Sequence, residues 1–204
     1  MNRKHLLLAA ALITGAAACS DSTGGGSITR PAADLNYVHL AFTAPAPCAD
    51  SVGAWFVRRT SGSDQELALE FPKSGIPADC TNGGETEDFI RLKLDRASLA
   101  QLPNGTPIAI GDSVFISIIW AQGDSVLFEM RPTGLIFSPA NPAELKISFG
   151  ETDEASDSTI VNQLSVWRQA QPADSFVKLA TTKLDAEQEL EVKLNGFSRY
   201  AIAY

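Results

Sequence analysis

Between Val126 and Phe149 the chain reads VLFEMRPTGLIFSPANPAELKISF, two runs of alternating apolar and polar residues around a proline- and glycine-containing centre. A period of two places every second side chain on one face of an extended strand. The pattern predicts strands over Val126–Met130 and Leu145–Phe149, a tight turn at Arg131–Gly134, a short strand after it and a bridge at Ser138–Pro142. The same period recurs upstream. Val38, Leu40 and Phe42 share one face of a first strand, Ala54–Val57 lies in a second, and Leu67, Leu69 and Phe71 mark a third. Ile90, Leu92 and Leu94 mark a fourth, and Val114–Trp120 pairs with Val126–Met130 across a turn at Ala121–Asp124. Downstream, Ile160–Trp167, Phe176–Leu179, Leu190–Leu194 and Phe197–Tyr204 read as further strands. A helix competes only at Asp95–Leu102, where Asp95 is a fair N-cap.

Roughly ten short strands at spacings of about 8–15 residues predict an all-β chain with minimal helix, folded as an antiparallel β-sandwich of immunoglobulin-like kind. Residues 35–204 suffice for one large sandwich or two small ones, with a subdivision near 102–112.

The first residues follow a different logic. Arg3 and Lys4 precede the apolar run Leu6–Ile13, and Gly15-Ala16-Ala17-Ala18 stand just before Cys19. This is the layout of a secretory signal, with an apolar core too short to span a bilayer. The cysteine behind the small residues makes Met1–Ala18 resemble a bacterial lipoprotein signal peptide. The resemblance implies cleavage before Cys19 and acylation of that residue, with palmitate among its chains. An ordinary signal cut after the alanines is the alternative. Ser20 rather than Asp after the cysteine implies, by the same resemblance, an outer-membrane rather than inner-membrane destination in the cell envelope. Residues 19–34, rich in Ser and Gly, read as a flexible tether between the lipid and the folded body.

Loss of Met1–Ala18 removes two of the 16 basic residues, so the net charge moves from −8 to −10. No basic run remains to hold a polyanion, so a nucleic-acid partner is not expected. Cys48 and Cys80 are then the two unassigned cysteines, in a compartment that permits disulfides. Two cysteines without CxxC spacing make a poor zinc site, and a bridge between them is the better reading.

Candidate chemistry is sparse. His5 leaves with the signal, so His39 is the single histidine available to a catalytic triad, and no nucleophile, phosphate-loop or metalloprotease motif accompanies it. No cofactor is implied. The many acidic residues offer no preferred pair for glycoside hydrolysis. The run Glu151–Ser158 has oxygen ligands suited to calcium but lacks the glycine and spacing of a calcium loop, and reads as a solvated link between strands. Trp120 is in phase with Val114, Ile116 and Ile118 and belongs to the core. Trp55 is out of phase with Phe56, and Trp167 with Val166, so these two are the candidates for an exposed ligand-binding platform.

Pro132, Gly134, Leu135, Phe137 and Pro139, then Trp167, then Phe197-Ser198 with Tyr200-Ala201, resemble the pattern of ZU-five-type domains. These are β-sandwich modules of ankyrins, netrin receptors, tight-junction scaffolds and many bacterial surface proteins. The resemblance covers about the last half of the chain and implies a ZU-five-like sandwich. Some members cleave themselves at His-Phe-Ser; here Gly196 stands in the place of the histidine, and Ser198 has no activating base. The combined expectation is a non-catalytic, lipid-anchored envelope or surface protein with a binding or structural role. The alternative is a carbohydrate-binding lipoprotein of a glycan-uptake system, and the protein or glycan partner is not identifiable from the sequence.

Overall fold

The structure is a computed structural model that describes residues 27–73, 80, 85–121 and 123–204; the expected signal segment and Cys19 lie outside them. The strands are β1 (Thr29–Arg30), β2 (Ser51–Val57), β3 (Gln65–Pro72), β4 (Thr86–Leu94), β5 (Leu99–Gln101), β6 (Ser113–Trp120) and β7 (Leu127–Arg131). They continue with β8 (Ile136–Phe137), β9 (Ala143–Ser148), β10 (Ser165–Gln169), β11 (Phe176–Lys178), β12 (Thr181–Leu184), β13 (Glu189–Leu194) and β14 (Arg199–Ala203). The alternation seen in the sequence is the alternation of burial. In β6, Val114, Ile116, Ile118 and Trp120 point inward while Ser113, Phe115, Ser117 and Ile119 point outward.

Seven strands form one antiparallel sheet in the order β1-β11-β10-β14-β7-β6-β2, and five form a second in the order β12-β13-β9-β4-β3. A small ladder of β5 with β8 lies beside them. Phe56, Ile116, Phe128 and Tyr200 from the first sheet meet Leu69, Leu92, Leu145 and Val192 from the second in one buried cluster. Each such side chain contributes about 1.5–3 kcal/mol by leaving water. The fold is an all-β antiparallel sandwich. Segment 102–112 does not divide it, because β2 before the segment pairs along its whole length with β6 after it.

The opening stretch folds as its pattern requires. Arg131–Gly134 is a turn with a cis Arg131–Pro132 bond and a left-handed Gly134 at φ 86°, a conformation that favours glycine. β8 follows, and Leu135, Phe137, Leu145 and Ile147 are buried.

Four local expectations are corrected. Asp95 Oδ1 accepts a hydrogen bond from the Ala97 N–H at 2.8 Å, which favours a tight turn over a helix, and Leu99–Gln101 becomes a strand. Ser158–Val161 is one helical turn rather than the start of a strand, because the Asp157 carboxylate accepts from the N–H groups of Thr159 and Ile160. The segment from Tyr37 to Leu40 makes single bridges to Ala203, Ser125 and Thr152 instead of a continuous strand, and Phe42 lies fully exposed on the turn that follows. The tether is shorter than residues 19–34: Thr29–Arg30 pairs with β11 at the sheet margin. The Arg30 guanidinium sits 5.4 Å above the Trp167 ring and donates to the Tyr204 carbonyl, which fixes it there.

Candidate functional site: an open aromatic edge

Backbone groups alternate from side to side along a strand just as side chains alternate between faces. In β2 the even-numbered residues turn their N–H and C=O toward β6, as the Trp120 N–H bond to the Asp50 carbonyl and the Arg58 N–H bond to the Asp112 carbonyl show. The odd-numbered residues, Ser51, Gly53, Trp55 and Val57, turn theirs toward the sheet margin, where β2 is the last strand. The margin is closed at both ends: before β2 the Cys48 N–H donates to the Glu70 carbonyl of β3 at 2.8 Å, and the far end is closed by two further contacts. The Gln65 side-chain amide donates to the Val57 carbonyl and accepts from its N–H, each at 2.9 Å, and the Arg59 N–H donates to the Arg96 carbonyl. Among the described residues, no strand pairs with the margin at Ser51, Gly53 and Trp55.

The same odd-numbered residues carry their side chains on the outer face of the sheet. Trp55 is 66% exposed and Phe115, its partner across the ladder, 48% exposed; their rings meet edge to face at 5.5 Å. Phe115 lies over the bare backbone of Gly53, where an added Cβ would come within 2.5 Å of its ring. An apolar pair this open on a strand margin is uncommon, since natural edges are usually blunted by charge, proline or a covering segment.

Further across the face the surface becomes polar. A shallow pocket of about 190 Å³ lies among Ile119, Glu129, Thr133, Gln169 and Arg199. Arg131 Nε donates to Glu129 Oε1 at 3.0 Å, and the Thr133 hydroxyl donates to the same oxygen at 3.2 Å. The Arg131 hydrogen bond holds the Glu129 carboxyl below its ordinary titration range, against a smaller opposing effect of burial.

The sequence-predicted residues divide. Trp55 is exposed at the margin. Trp167 is 2% exposed, covered by Arg30 and Lys178, with its indole N–H donating to the Ala203 carbonyl at 3.2 Å. Both lie on the outer face, but β10 and β2 are four strands apart, about 19 Å. They form no common platform, and Trp167 is a packing residue. Its phase reveals the face correctly; what hides it is the N-terminal segment folding back over that face. Phe115 is the functional candidate that the sequence reading missed. Its signal was present, since it alternates out of phase with Val114 and Ile116 and stands opposite Trp55 once β2 and β6 are paired.

Cys48 and Cys80 are joined in a disulfide, with Cα atoms 5.5 Å apart. His39 is paired with Glu154: the His39 backbone N–H donates to Glu154 Oε2 at 3.1 Å, and Nδ1 lies 3.6 Å from Oε1. One acidic side chain of the run 151–158 is thereby turned inward. Ser198 is buried, and its hydroxyl accepts from Arg168 Nε at 2.8 Å, a cationic donor rather than a base. Among the described residues no helix is long and apolar enough to cross a membrane, and no three His, Cys, Asp or Glu side chains are grouped as metal ligands. The chain matches no known protein family, curated protein or solved structure.

Proposed function

We propose that the protein is a non-catalytic, lipid-anchored component of a bacterial cell envelope that binds a protein partner through the margin of β2. Cys19 carries the lipid, the outer membrane is the destination, and a ZU-five-like sandwich is the body that the tether holds off the membrane. The observation that carries the binding role is the strand margin at Ser51, Gly53 and Trp55, unpaired among the described residues and flanked by the exposed Trp55–Phe115 pair. Such an edge recognises an extended segment by main-chain hydrogen bonds, with side-chain contacts supplying selectivity.

Two arrangements count against self-cleavage. Ser198 is engaged by Arg168, and position 196 has no room for the histidine a self-cleaving site would need, because a Cβ there would lie 2.5 Å from the Leu135 carbonyl oxygen. The carbohydrate reading keeps only Trp55 and loses its second ring, so it ranks behind a protein partner.

Mass spectrometry of the protein isolated from its membrane tests the anchor; an N-terminus beyond Cys19, or an unacylated Cys19, overturns it. Crosslinking in intact envelopes tests the binding face. Wild type is expected to give a specific adduct that Trp55→Lys loses, and adducts identical in both overturn the role of the β2 margin.

A further inference from the structure

The seven residues of β2, SVGAWFV, carry no charge, while Asp50 stands immediately before them and Arg58 and Arg59 immediately after. A segment with an acid at one end and bases at the other is complementary to itself when reversed. Two copies laid antiparallel with Gly53 opposite Gly53, the register that pairs the free groups, set Asp50 of each opposite Phe56 of the other and one diagonal step from Arg58, twice, whereas a parallel arrangement would set like charges together. We infer that the partner at this margin is a second copy of the same chain, joined β2 to β2 in antiparallel sense; the inference rests on the reading of the margin as the binding face.

The geometry is that of an isologous two-fold interface, in which one patch contacts itself. The free N–H and C=O groups of Ser51, Gly53 and Trp55 on one copy find the same groups on the other, and the two seven-stranded sheets become one continuous sheet. Because Trp55 is one of those residues and Phe115 stands beside it on β6, pairing draws Trp55 and Phe115 of both copies toward one another across Gly53, which has no side chain of its own. The acidic chain, at net charge −10 once Met1–Ala18 is removed, disfavours its own association in general. The uncharged strand is where that repulsion is least, and the Asp50 and Arg58–Arg59 ends convert it to attraction. Anchoring on one membrane raises the effective concentration of such a weak, strand-sized contact.

Sedimentation equilibrium of the full lipidated chain in density-matched detergent reads the association directly. A monomer–dimer equilibrium is expected at or below roughly 0.1 mM protein. Trp55→Lys is expected to leave monomer. Trp55→Pro is expected to do the same while preserving the fold, because it removes an N–H aimed at the margin and none that bonds to β6. Asp50→Lys is expected to weaken association about tenfold, and adding Arg58→Glu, at a position on the same face of the strand as Asp50, to recover most of that loss. Circular dichroism and thermal melting establish that each variant is folded. A wild-type chain that is monomeric at roughly 0.1 mM, or a dimer indifferent to all four variants, overturns the inference. If the purified chain is monomeric yet Trp55→Lys still abolishes an envelope adduct, the second-copy assignment falls and the binding face stands. If neither changes, both fall.

Discussion

A Cβ placed on Gly196 would lie 2.5 Å from the carbonyl oxygen of Leu135, closer than any real contact of that kind. At this point the Pro132–Phe137 stretch and the closing segment of the chain are laced together. The Phe197 N–H donates to the Leu135 carbonyl and the Phe137 N–H to the Asn195 carbonyl, each at 2.9 Å, and the rings of Phe137 and Phe197 meet edge to face at 4.9 Å. The obstacle is backbone, which has no rotamer through which to yield. Gly196→Ala is therefore expected to destabilise the fold by about 2 kcal/mol, lowering the melting temperature by roughly 4–8 °C. An unchanged melting temperature would show that the two segments separate more readily than their hydrogen bonds imply.

The architecture was legible because burial here has a period of two. In β6, β9 and β13 the inward residues can be picked from the sequence without error, and the turn at Arg131–Gly134 announces itself through Pro132 and Gly134. What was not legible depends on segments that bend back. Nothing local to Trp167 says that Arg30 and Lys178 cover it, and nothing local to Phe42 says that a turn throws it outward after Val38 has been buried. The open margin at β2 was hidden for a related reason. Which strand is last in a sheet is a property of strand order, and the phase of Phe115 acquires meaning only when β6 is known to face Trp55.

The disulfide ties the approach to β2 to the far end of the β3–β4 hairpin, since the Cys48 N–H donates to the Glu70 carbonyl at 2.8 Å. Its two cysteines are 32 positions apart, so the bond restricts the unfolded chain over a long loop. Cys48→Ala with Cys80→Ala is expected to cost roughly 3–4 kcal/mol. Chemical denaturation of the variant beside wild type measures it. A loss below about 1 kcal/mol would mean that the unfolded chain already holds these segments together.

Glu129 offers a check on the polar half of the outer face. Its carboxyl is held below the usual carboxylate range chiefly by the hydrogen bond from Arg131, with Thr133 adding to it. A carboxylate depressed in the folded state contributes stability that is fully present above its unfolded pKa of about 4.3 and is lost as pH falls through the lower folded value. The Glu129 side chain is 38% exposed, so solvent screens the pair and the stability at stake is small. The titration midpoint is the sharper observable. Carbon-detected NMR is expected to place it below that of an unperturbed glutamate, and Arg131→Ala to return it toward the ordinary value. A midpoint that Arg131→Ala leaves in place would assign the depression to another neighbour.

Gln65 decides how much of the β2 margin is open. Its amide mimics a neighbouring strand, giving Val57 one donor and one acceptor and so ending the free edge after Trp55. Gln65→Ala leaves both Val57 groups to water, at an expected cost of about 1–2 kcal/mol for two partly buried bonds. Gln65→Glu can still accept from the Val57 N–H but cannot donate to its carbonyl, so it is expected to lose about half as much. Amide exchange separates the two variants. The Val57 N–H is expected to exchange much faster in Gln65→Ala and little faster in Gln65→Glu, while the Phe56 N–H, which faces β6, stays protected in both. Equal acceleration at Val57 and Phe56 would mean that Gln65 holds the whole strand in place rather than closing its margin. Without the amide, the free edge lengthens by one residue toward Arg58. If two copies join along β2, Gln65→Ala should therefore strengthen their association even as it weakens each fold, an inversion that a purely structural glutamine would not produce.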